Sequence, residues 1–105
     1  MPILKANPQL VDFQNYVKEL EVERGFSDQR VNDKCLLLGE EVGELFKAVR
    51  KAEGIAVDPQ SKVGDIGDEL ADIFIYLCSI ANRYQIDLES AFVNKEQKNS
   101  QRTWS

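Results

Sequence analysis

The segment from Ile73 to Ala81 limits the possible folds more than any other part of this chain. It reads Ile-Phe-Ile-Tyr-Leu-Cys-Ser-Ile-Ala, inside a longer stretch with helical spacing of apolar residues. A helix of this composition is apolar on nearly every side, so every side must be covered. In a chain of 105 residues, four short helices cannot supply that cover alone. We therefore predict an obligate homo-oligomer, at least a dimer.

The rest of the pattern predicts an all-α domain of four helices with no convincing strand. Residues 1–105 are short enough for a single domain. We expect Asn7 to cap the first helix with Pro8 at its first position, Ser27 or Asp28 to cap the second, and Asp87 to cap the fourth. The predicted helices run over about residues 8–24, 28–52, 65–84 and 87–102, with a loop over about residues 54–64.

The composition excludes several kinds of enzyme. The chain contains no histidine, whereas zinc hydrolases and di-iron bundles use imidazole ligands. A Ser-His-Asp or Cys-His nucleophile is excluded for the same reason. The formal net charge of −5 argues against sequence-independent binding to the phosphate backbone of a nucleic acid. We expect no nucleic-acid polymer as a partner.

The spacing of the cysteines and the hydropathy of the chain indicate the cellular compartment that we expect. No stretch approaches the roughly 20 apolar residues of a membrane span, and the N-terminus lacks a signal-peptide apolar region. Cys35 and Cys78 stand alone, without C-x-x-C spacing, which is typical of small apolar side chains in a reducing environment. We expect a cytoplasmic protein with no membrane partner.

Two pairs of carboxylates lie inside the second and third predicted helices. Glu41 and Glu44 are three positions apart, as are Glu69 and Asp72, so each pair shares a helix face. Carboxylates among core-type residues are costly unless something positive pairs with them. Antiparallel packing of the two helices would gather all four, and a cation would offset their repulsion. Oxygen donors alone favour Mg²⁺, with Mn²⁺ as a substitute.

Each acidic pair also has a simpler interpretation, because acidic helix faces are mostly just solvated. Asp65 and Asp68 are interpreted as favourable charges at the start of the third helix. Glu40 would lie at the edge of the site, as a ligand of a second ion or a base for water. Mg²⁺ held by carboxylates keeps positions open for water and phosphate oxygens. This chemistry favours hydrolysis of a phosphoric anhydride.

Gly39 and Gly43 lie four positions apart inside the second predicted helix. Each costs about 1 kcal/mol against alanine there. One interpretation is a tolerated weakness of the helix. The other is a smooth strip that lets a helix or a phosphate group approach the acidic turn closely.

The acidic strings resemble a known family. Glu40-Glu41-Val42-Gly43-Glu44-Leu45 and Asp68-Glu69-Leu70-Ala71-Asp72-Ile73 are similar to the E-E-x-x-E and E-x-x-D signature of the MazG-like, all-α nucleoside triphosphate pyrophosphohydrolases. The likeness continues through Ile75-Tyr76-Leu77 and Ile86-Asp87-Leu88. It ends in Lys95, Asn99 and Arg102, which match the family's K-x-x-x-N-x-x-R tail. It covers roughly residues 13–104.

The resemblance implies a single MazG-like domain, a four-helix bundle completed by oligomerisation into a dimer or tetramer. It implies hydrolysis of a (deoxy)nucleoside triphosphate between the α and β phosphates, giving the monophosphate and pyrophosphate, as nucleotide-pool housekeeping. By motif position, the implied roles are metal ligation by Glu41, Glu44, Glu69 and Asp72, catalysis by Glu40 and Glu41, and phosphate binding by Lys95, Asn99 and Arg102. A solvated helix end is the alternative interpretation of that last group.

Base recognition has the weakest sequence signal. Phe13 and Phe26 are the better candidates for a stacking contact, since the family's first helix and following loop help to form that pocket. Further candidates are Tyr84 and Trp104 for stacking, and Gln14 or Asn15 for reading a base edge. Core packing is the alternative for each aromatic residue. Lys34, Lys47, Arg50 and Lys51 could help to neutralise phosphates, although surface pairing or solvation is the alternative for each.

Three functional hypotheses follow. The first is a Mg²⁺-dependent nucleotide pyrophosphohydrolase. The second is a non-catalytic helical oligomer that binds nucleotide and metal. The third is a purely structural helical module whose acidic residues form a solvated face. The combination of the four acids with the K-x-x-x-N-x-x-R tail favours the enzyme, because a binding module has no need of both.

Overall fold

The architecture is taken from a computed structural model that describes residues 1–102. These residues form four α-helices: α1 (Leu10–Glu23), α2 (Val31–Ala52), α3 (Ile66–Arg83) and α4 (Leu88–Ser100). The same residues contain no β-strand, so the all-α prediction is confirmed. Over this range, none of the helices combines the length and apolar character needed to cross a membrane.

The prediction of Asn7 as the first N-cap is wrong. Asn7 has a φ of 53°, a left-handed conformation, whereas an N-cap residue is normally extended. Helix α1 instead begins at Leu10, and the extended residue before it is Gln9. The backbone N–H of Gln9 donates to Oδ2 of Asp12 over 2.8 Å. An aspartate in the first turn therefore fixes this helix start.

The start of α2 follows the same rule, and the prediction of Ser27 or Asp28 as its cap is also wrong. Helix α2 begins at Val31, and its N-cap is Arg30. The Arg30 N–H donates to Oδ2 of Asp33 over 3.1 Å. The prediction for α4 is confirmed, because Asp87 is its N-cap and its carboxylate accepts from the Ser90 N–H over 3.1 Å.

The described residues fall into two compact units. The first consists of residues 1–28 together with the chain from residue 81 onward, and the second of residues 29–80. The first unit contains α1, the end of α3 and α4, and α1 contacts α4. Our expectation of a single domain over residues 1–105 stays a prediction.

Gln14 organises the first unit. It is buried on α1, and its Nε2 donates to Oδ1 of Asn82 over 3.1 Å and to the carbonyl of Ile86 over 2.8 Å. Its Oε1 accepts from the N–H of Leu88 over 3.0 Å. This side chain therefore pairs the Ile86 carbonyl and the Leu88 N–H in the turn between α3 and α4.

The second unit contains α2, the loop that follows it and most of α3. The buried side chains include those of Ala48, Cys78 and Ser79. Burial raises the pKa of the Cys78 thiol to about 11, so Cys78 behaves as a small apolar group. Part of the apolar segment of α3 is nevertheless open, since Leu77 is 43% exposed.

Candidate metal centre

Three carboxylates from two helices meet in the second unit. Glu41 lies on α2, and Glu69 and Asp72 lie on the first turns of α3. One carboxylate oxygen of each lies within 4.8 Å of the others. The spacing of three between Glu69 and Asp72 places both on one face of α3. Folding of the second unit therefore brings together three of the four predicted metal ligands.

The charge on Glu41 is strongly affected by this arrangement. Partial burial, a hydrogen bond with Glu69, and the negative charges of Asp72, Glu69 and Glu40 together raise the pKa of Glu41 to about 7. A carboxyl group this close to other carboxylates holds its proton because like charges disfavour ionisation. A bound cation would remove this repulsion.

The group fits a hard divalent cation. All three donors are carboxylate oxygens, the ligand type that Mg²⁺ and Mn²⁺ prefer. The three oxygens lie within 4.8 Å of one another, so a small approach would bring them to the separations of about 4.2 Å or less found around one ion bound at about 2.1 Å from each ligand. Three protein ligands leave further octahedral positions for water and substrate oxygens.

Because Gly64 has no side chain, it leaves room for the Glu69 carboxylate in this group. A Cβ atom added at Gly64 would collide with Oε1 of Glu69. The side chain of Glu69 therefore occupies space that any larger residue at position 64 would take. The one relevant signal in the sequence is that a glycine ends the predicted loop just before α3.

The fourth predicted ligand, Glu44, is not in the three-carboxylate group. Its Oε1 lies 3.4 Å from Nζ of Lys47, one turn along α2. Both side chains are partly exposed, so this pair contributes little stability. Its predicted role as a ligand stays a prediction. Glu40 is exposed, and its charge acts on Glu41.

Tyr76 forms part of the surroundings of the acidic group. Burial is the main cause that raises the pKa of Tyr76, followed by the charges of Glu41, Asp72 and Glu40. Lys34 lies over its ring, with Nζ 5.7 Å from the ring centroid. From the sequence we assigned Lys34 only a possible part in neutralising phosphates, and Tyr76 no role at the acids. The available signal was the spacing of four between Asp72 and Tyr76, which places them on one face of α3.

The predicted phosphate-binding residues belong to the first unit. Lys95 and Asn99 lie on α4, and Arg102 follows its end. Lys95 and Arg102 are exposed, and Asn99 is partly exposed. The three-carboxylate group belongs to the second unit. The phosphate-binding role of these residues stays a prediction.

The candidates for base recognition differ in accessibility. Phe13 is partly exposed and Phe26 is 42% exposed, so stacking by either stays a prediction. The idea that Gln14 reads a base edge is wrong, because its buried amide is committed to Asn82, Ile86 and Leu88. Trp104 lies outside the described residues.

The chain is similar to several known proteins. The family model of the MazG nucleotide pyrophosphohydrolase domain matches residues 29–104. Identity to dCTP pyrophosphatase 1 is 33% over 100 residues for the Mus musculus protein and 34% over 101 residues for that of Rattus norvegicus. Both matches cover 90% of this chain, which spans only 59% of the length of either relative.

Solved structures show the same fold. Two crystal structures of iMazG from Vibrio DAT 722 match this chain with TM-scores of 0.67 and 0.68, each at 28% sequence identity. The first match covers 87% of this chain and 93% of the iMazG chain. The second covers 88% and 98%. The all-α architecture of the two units is therefore shared with a protein of known structure.

Proposed function

Because this chain belongs to the MazG nucleotide pyrophosphohydrolase family, we propose that it is a Mg²⁺-dependent nucleoside triphosphate pyrophosphohydrolase. It would hydrolyse a (deoxy)nucleoside triphosphate between the α and β phosphates, releasing the monophosphate and pyrophosphate. The observation that carries this proposal is the group formed by Glu41, Glu69 and Asp72. The name dCTP pyrophosphatase 1 of the curated relatives supports a deoxynucleoside triphosphate as the substrate. The role that we propose is nucleotide-pool housekeeping.

The acidic residues have distinct proposed roles. Glu41, Glu69 and Asp72 hold the cation, Mg²⁺ first and Mn²⁺ as a substitute, and Glu44 joins them once its contact with Lys47 is released. Glu40, exposed beside Glu41, orients the attacking water and accepts its proton. The cation, when bound, neutralises phosphate oxygens and activates water.

Positive and aromatic residues have proposed roles in substrate binding. Lys95 and Asn99 are four positions apart on α4, so the helix presents them on one face, and Arg102 follows the helix end. Charge-assisted hydrogen bonds from Lys95 and Arg102 suit phosphate oxygens, and the Asn99 amide adds a neutral donor. Phe13 and Phe26 are proposed to stack on the base.

We also propose that the protein acts as a homo-oligomer, a dimer or tetramer, in the cytoplasm. Large apolar side chains are exposed in both units, including Leu36 and Leu77 in the second and Phe92 in the first. Leu77 belongs to the apolar segment of α3, and a helix that is apolar on nearly every side must be covered. A second copy of the chain would cover these residues.

The function is tested by pyrophosphate release from a panel of nucleoside triphosphates, with Mg²⁺ and with EDTA. We expect metal-dependent release that falls about a hundredfold or more in Glu41→Gln, because a ligand contributes at least as much as its outer-shell partners. Glu53→Gln is the matched control, since Glu53 is exposed and follows α2 outside the acidic group. It should keep wild-type activity.

Two other outcomes would contradict the enzymatic proposal. Absence of pyrophosphate release from every nucleotide, with Mg²⁺ and nucleotide binding intact, would favour a non-catalytic binding module. Thermal stability that responds to neither Mg²⁺ nor nucleotide would favour a structural module, because a ligand that binds only the folded state must stabilise it.

A further inference from the structure

A set of contacts within the first unit fixes the turn that follows α1. Gly25 has a φ of 74°, a left-handed conformation that glycine adopts without steric cost, and it turns the chain away from the helix. The next residue, Phe26, donates its backbone N–H to the carbonyl of Glu21 over 2.7 Å, as in the Schellman ending of a helix. The Phe26 carbonyl accepts from Nη2 of Arg83 over 3.2 Å. The backbone of Phe26 is therefore held on one side by α1 and on the other by the end of α3.

The arginine that holds Phe26 is itself anchored by an ion pair. Nη2 of Arg83 lies 2.7 Å from Oε2 of Glu21, and the two side chains are only 16% and 9% exposed. Solvent ions screen a pair at this depth much less than a pair on the surface. Glu21 therefore holds Phe26 in two ways. Its carbonyl accepts from the Phe26 N–H, and its carboxylate pairs with the guanidinium group that donates to the Phe26 carbonyl.

The residue held by these contacts is an aromatic one at the surface. Phe26 is exposed, so part of it is open to a ligand. Ser27, the next residue, lines a cavity of about 200 Å³ together with Glu21 and Arg83, so the turn borders open space. An aromatic side chain has only two χ angles. Because the backbone is already ordered, a ligand that stacks on this ring has few groups left to immobilise, and ordering before binding favours affinity.

We infer that Arg83 and Glu21 are positioning residues for recognition of the nucleotide base. Their ion pair fixes the backbone of Phe26, and this backbone presents the ring to the base. The inference rests on the proposed function, in which Phe26 stacks on the base. It assigns the pair a role in substrate affinity and not in the chemical step, which belongs to the acidic group.

A paired variant, Glu21→Met with Arg83→Met, tests this role through KM and kcat. It removes both charges at once, and replacing a buried ion pair with apolar side chains is often neutral or stabilising, so we expect it to fold. Its KM for the best substrate of the nucleotide panel should rise about fivefold, because stacking on an aromatic ring stabilises a bound base. Its kcat should change less than about twofold, since stacking acts equally on the bound substrate and the transition state.

Inorganic triphosphate distinguishes a loss of base recognition from damage to the rest of the site. It carries phosphates but no base, so its inhibition constant in the paired variant should stay at the wild-type value. Arg24→Met removes an exposed arginine two residues before Phe26 and is the matched control, which should leave KM and the inhibition constant unchanged. An inhibition constant that rises as much as KM in the paired variant would overturn the inference.

A mutant cycle tests whether the ion pair acts through the ring. Phe26→Ala should raise KM about tenfold, because it removes the stacking surface itself. Adding Glu21→Met and Arg83→Met to Phe26→Ala should not raise KM further, since the pair acts through the ring that is already missing. Effects that multiply in the triple variant would overturn the inference.

Nuclear magnetic resonance of the metal-free protein tests the positioning independently of catalysis. In wild type, the order parameter of the Phe26 amide should be about 0.85, as in a rigid backbone, and in the paired variant it should fall toward about 0.6. If the paired variant does not fold, the wild-type measurement decides, because a flexible Phe26 amide would overturn the inference. Absence of pyrophosphate release by wild type would instead overturn the proposed function.

Discussion

At the level of single side chains, the proton on Glu41 couples the acidic group to folding. In the unfolded chain this carboxyl group has its ordinary pKa of 4.5, and in the folded protein the pKa rises to about 7. Between these values the folded protein keeps a proton that the unfolded chain has released. Stability therefore falls as the pH rises through this window, since the folded state then binds more protons.

This coupling gives a prediction about pH and metal. We compare the unfolding temperatures of wild type and Glu41→Gln in EDTA. The wild-type temperature minus the variant temperature should fall as the pH rises, with most of the fall between 4.5 and about 7. Adding Mg²⁺ at pH 8 should raise the wild-type value more than that of the variant. Calorimetry measures both. A relative stability that rises over this window would contradict the prediction.

A second prediction concerns Gly64. In Gly64→Ala, the new methyl group would displace the carboxylate of Glu69, which is the mobile end of a side chain. We expect a folded protein whose affinity for Mg²⁺ or Mn²⁺ falls about tenfold, as for other losses of ligand positioning, measured by isothermal titration calorimetry. Gly39→Ala is the control, because its added methyl enters open space. Equal affinities of Gly64→Ala and wild type would refute this role of Gly64.

At the level of the helices, close packing within the second unit does not explain why α2 contains glycines at positions 39 and 43. Apart from the backbone of α2 itself, a Cβ atom added at Gly39 or Gly43 would meet no described atom of the second unit within 4 Å. No other described segment of the second unit therefore packs closely on this part of α2. The two interpretations, a tolerated weakness and a strip reserved for a substrate phosphate or another subunit, stay open.

Alanine substitution distinguishes these two interpretations. Gly43→Ala should raise the free energy of unfolding of the metal-free protein by about 1 kcal/mol, because alanine is favoured over glycine inside a helix. Denaturant unfolding measures this change. Wild-type turnover in the more stable variant would favour the tolerated weakness. Slower turnover or weaker association would favour the strip, and a lower stability would contradict the expected gain.

The helix starts illustrate which local signals carry information. We expected caps at Asn7 and at Ser27 or Asp28, where polar residues precede an apolar pattern. The structure instead uses Asp12 and Asp33, which accept the N–H groups of Gln9 and Arg30. Both aspartates lie at the third helical position, where a carboxylate also meets the positive end of the helix dipole.

For the protein as a whole, the open apolar surface leads to a prediction about association. Phe92 is 70% exposed on α4, and Leu77 is 43% exposed on α3. We expect wild type to sediment as a dimer or tetramer, and Leu77→Glu or Phe92→Glu to shift it toward smaller species, because a charge is costly in an apolar interface.

Analytical ultracentrifugation with circular dichroism checks this expectation. The helical signal should remain in any variant that dissociates without unfolding. Glu53→Lys, a charge change at an exposed position after α2, should leave the association unchanged. A wild type that is monomeric at micromolar concentration would refute the proposed oligomer.

Much of the candidate site could be predicted because it depends on local geometry. The spacing of three between Glu69 and Asp72 puts both on one face of any helix that contains them. The absence of histidine restricts the donors to oxygen, and therefore the expected ion to a hard cation. The four helices were predictable for the same reason, since the 3.6-residue period acts within a few residues along the chain.

Only folding decided which partner each polar side chain takes. Glu41 meets Glu69 and Asp72 of another helix, and Gln14 joins the turn between α3 and α4 rather than facing a ligand. Lys34 reaches Tyr76 across 42 positions of sequence. Helical periodicity sets the face on which a side chain emerges. The choice among the partners on that face depends on packing between segments that are distant in sequence.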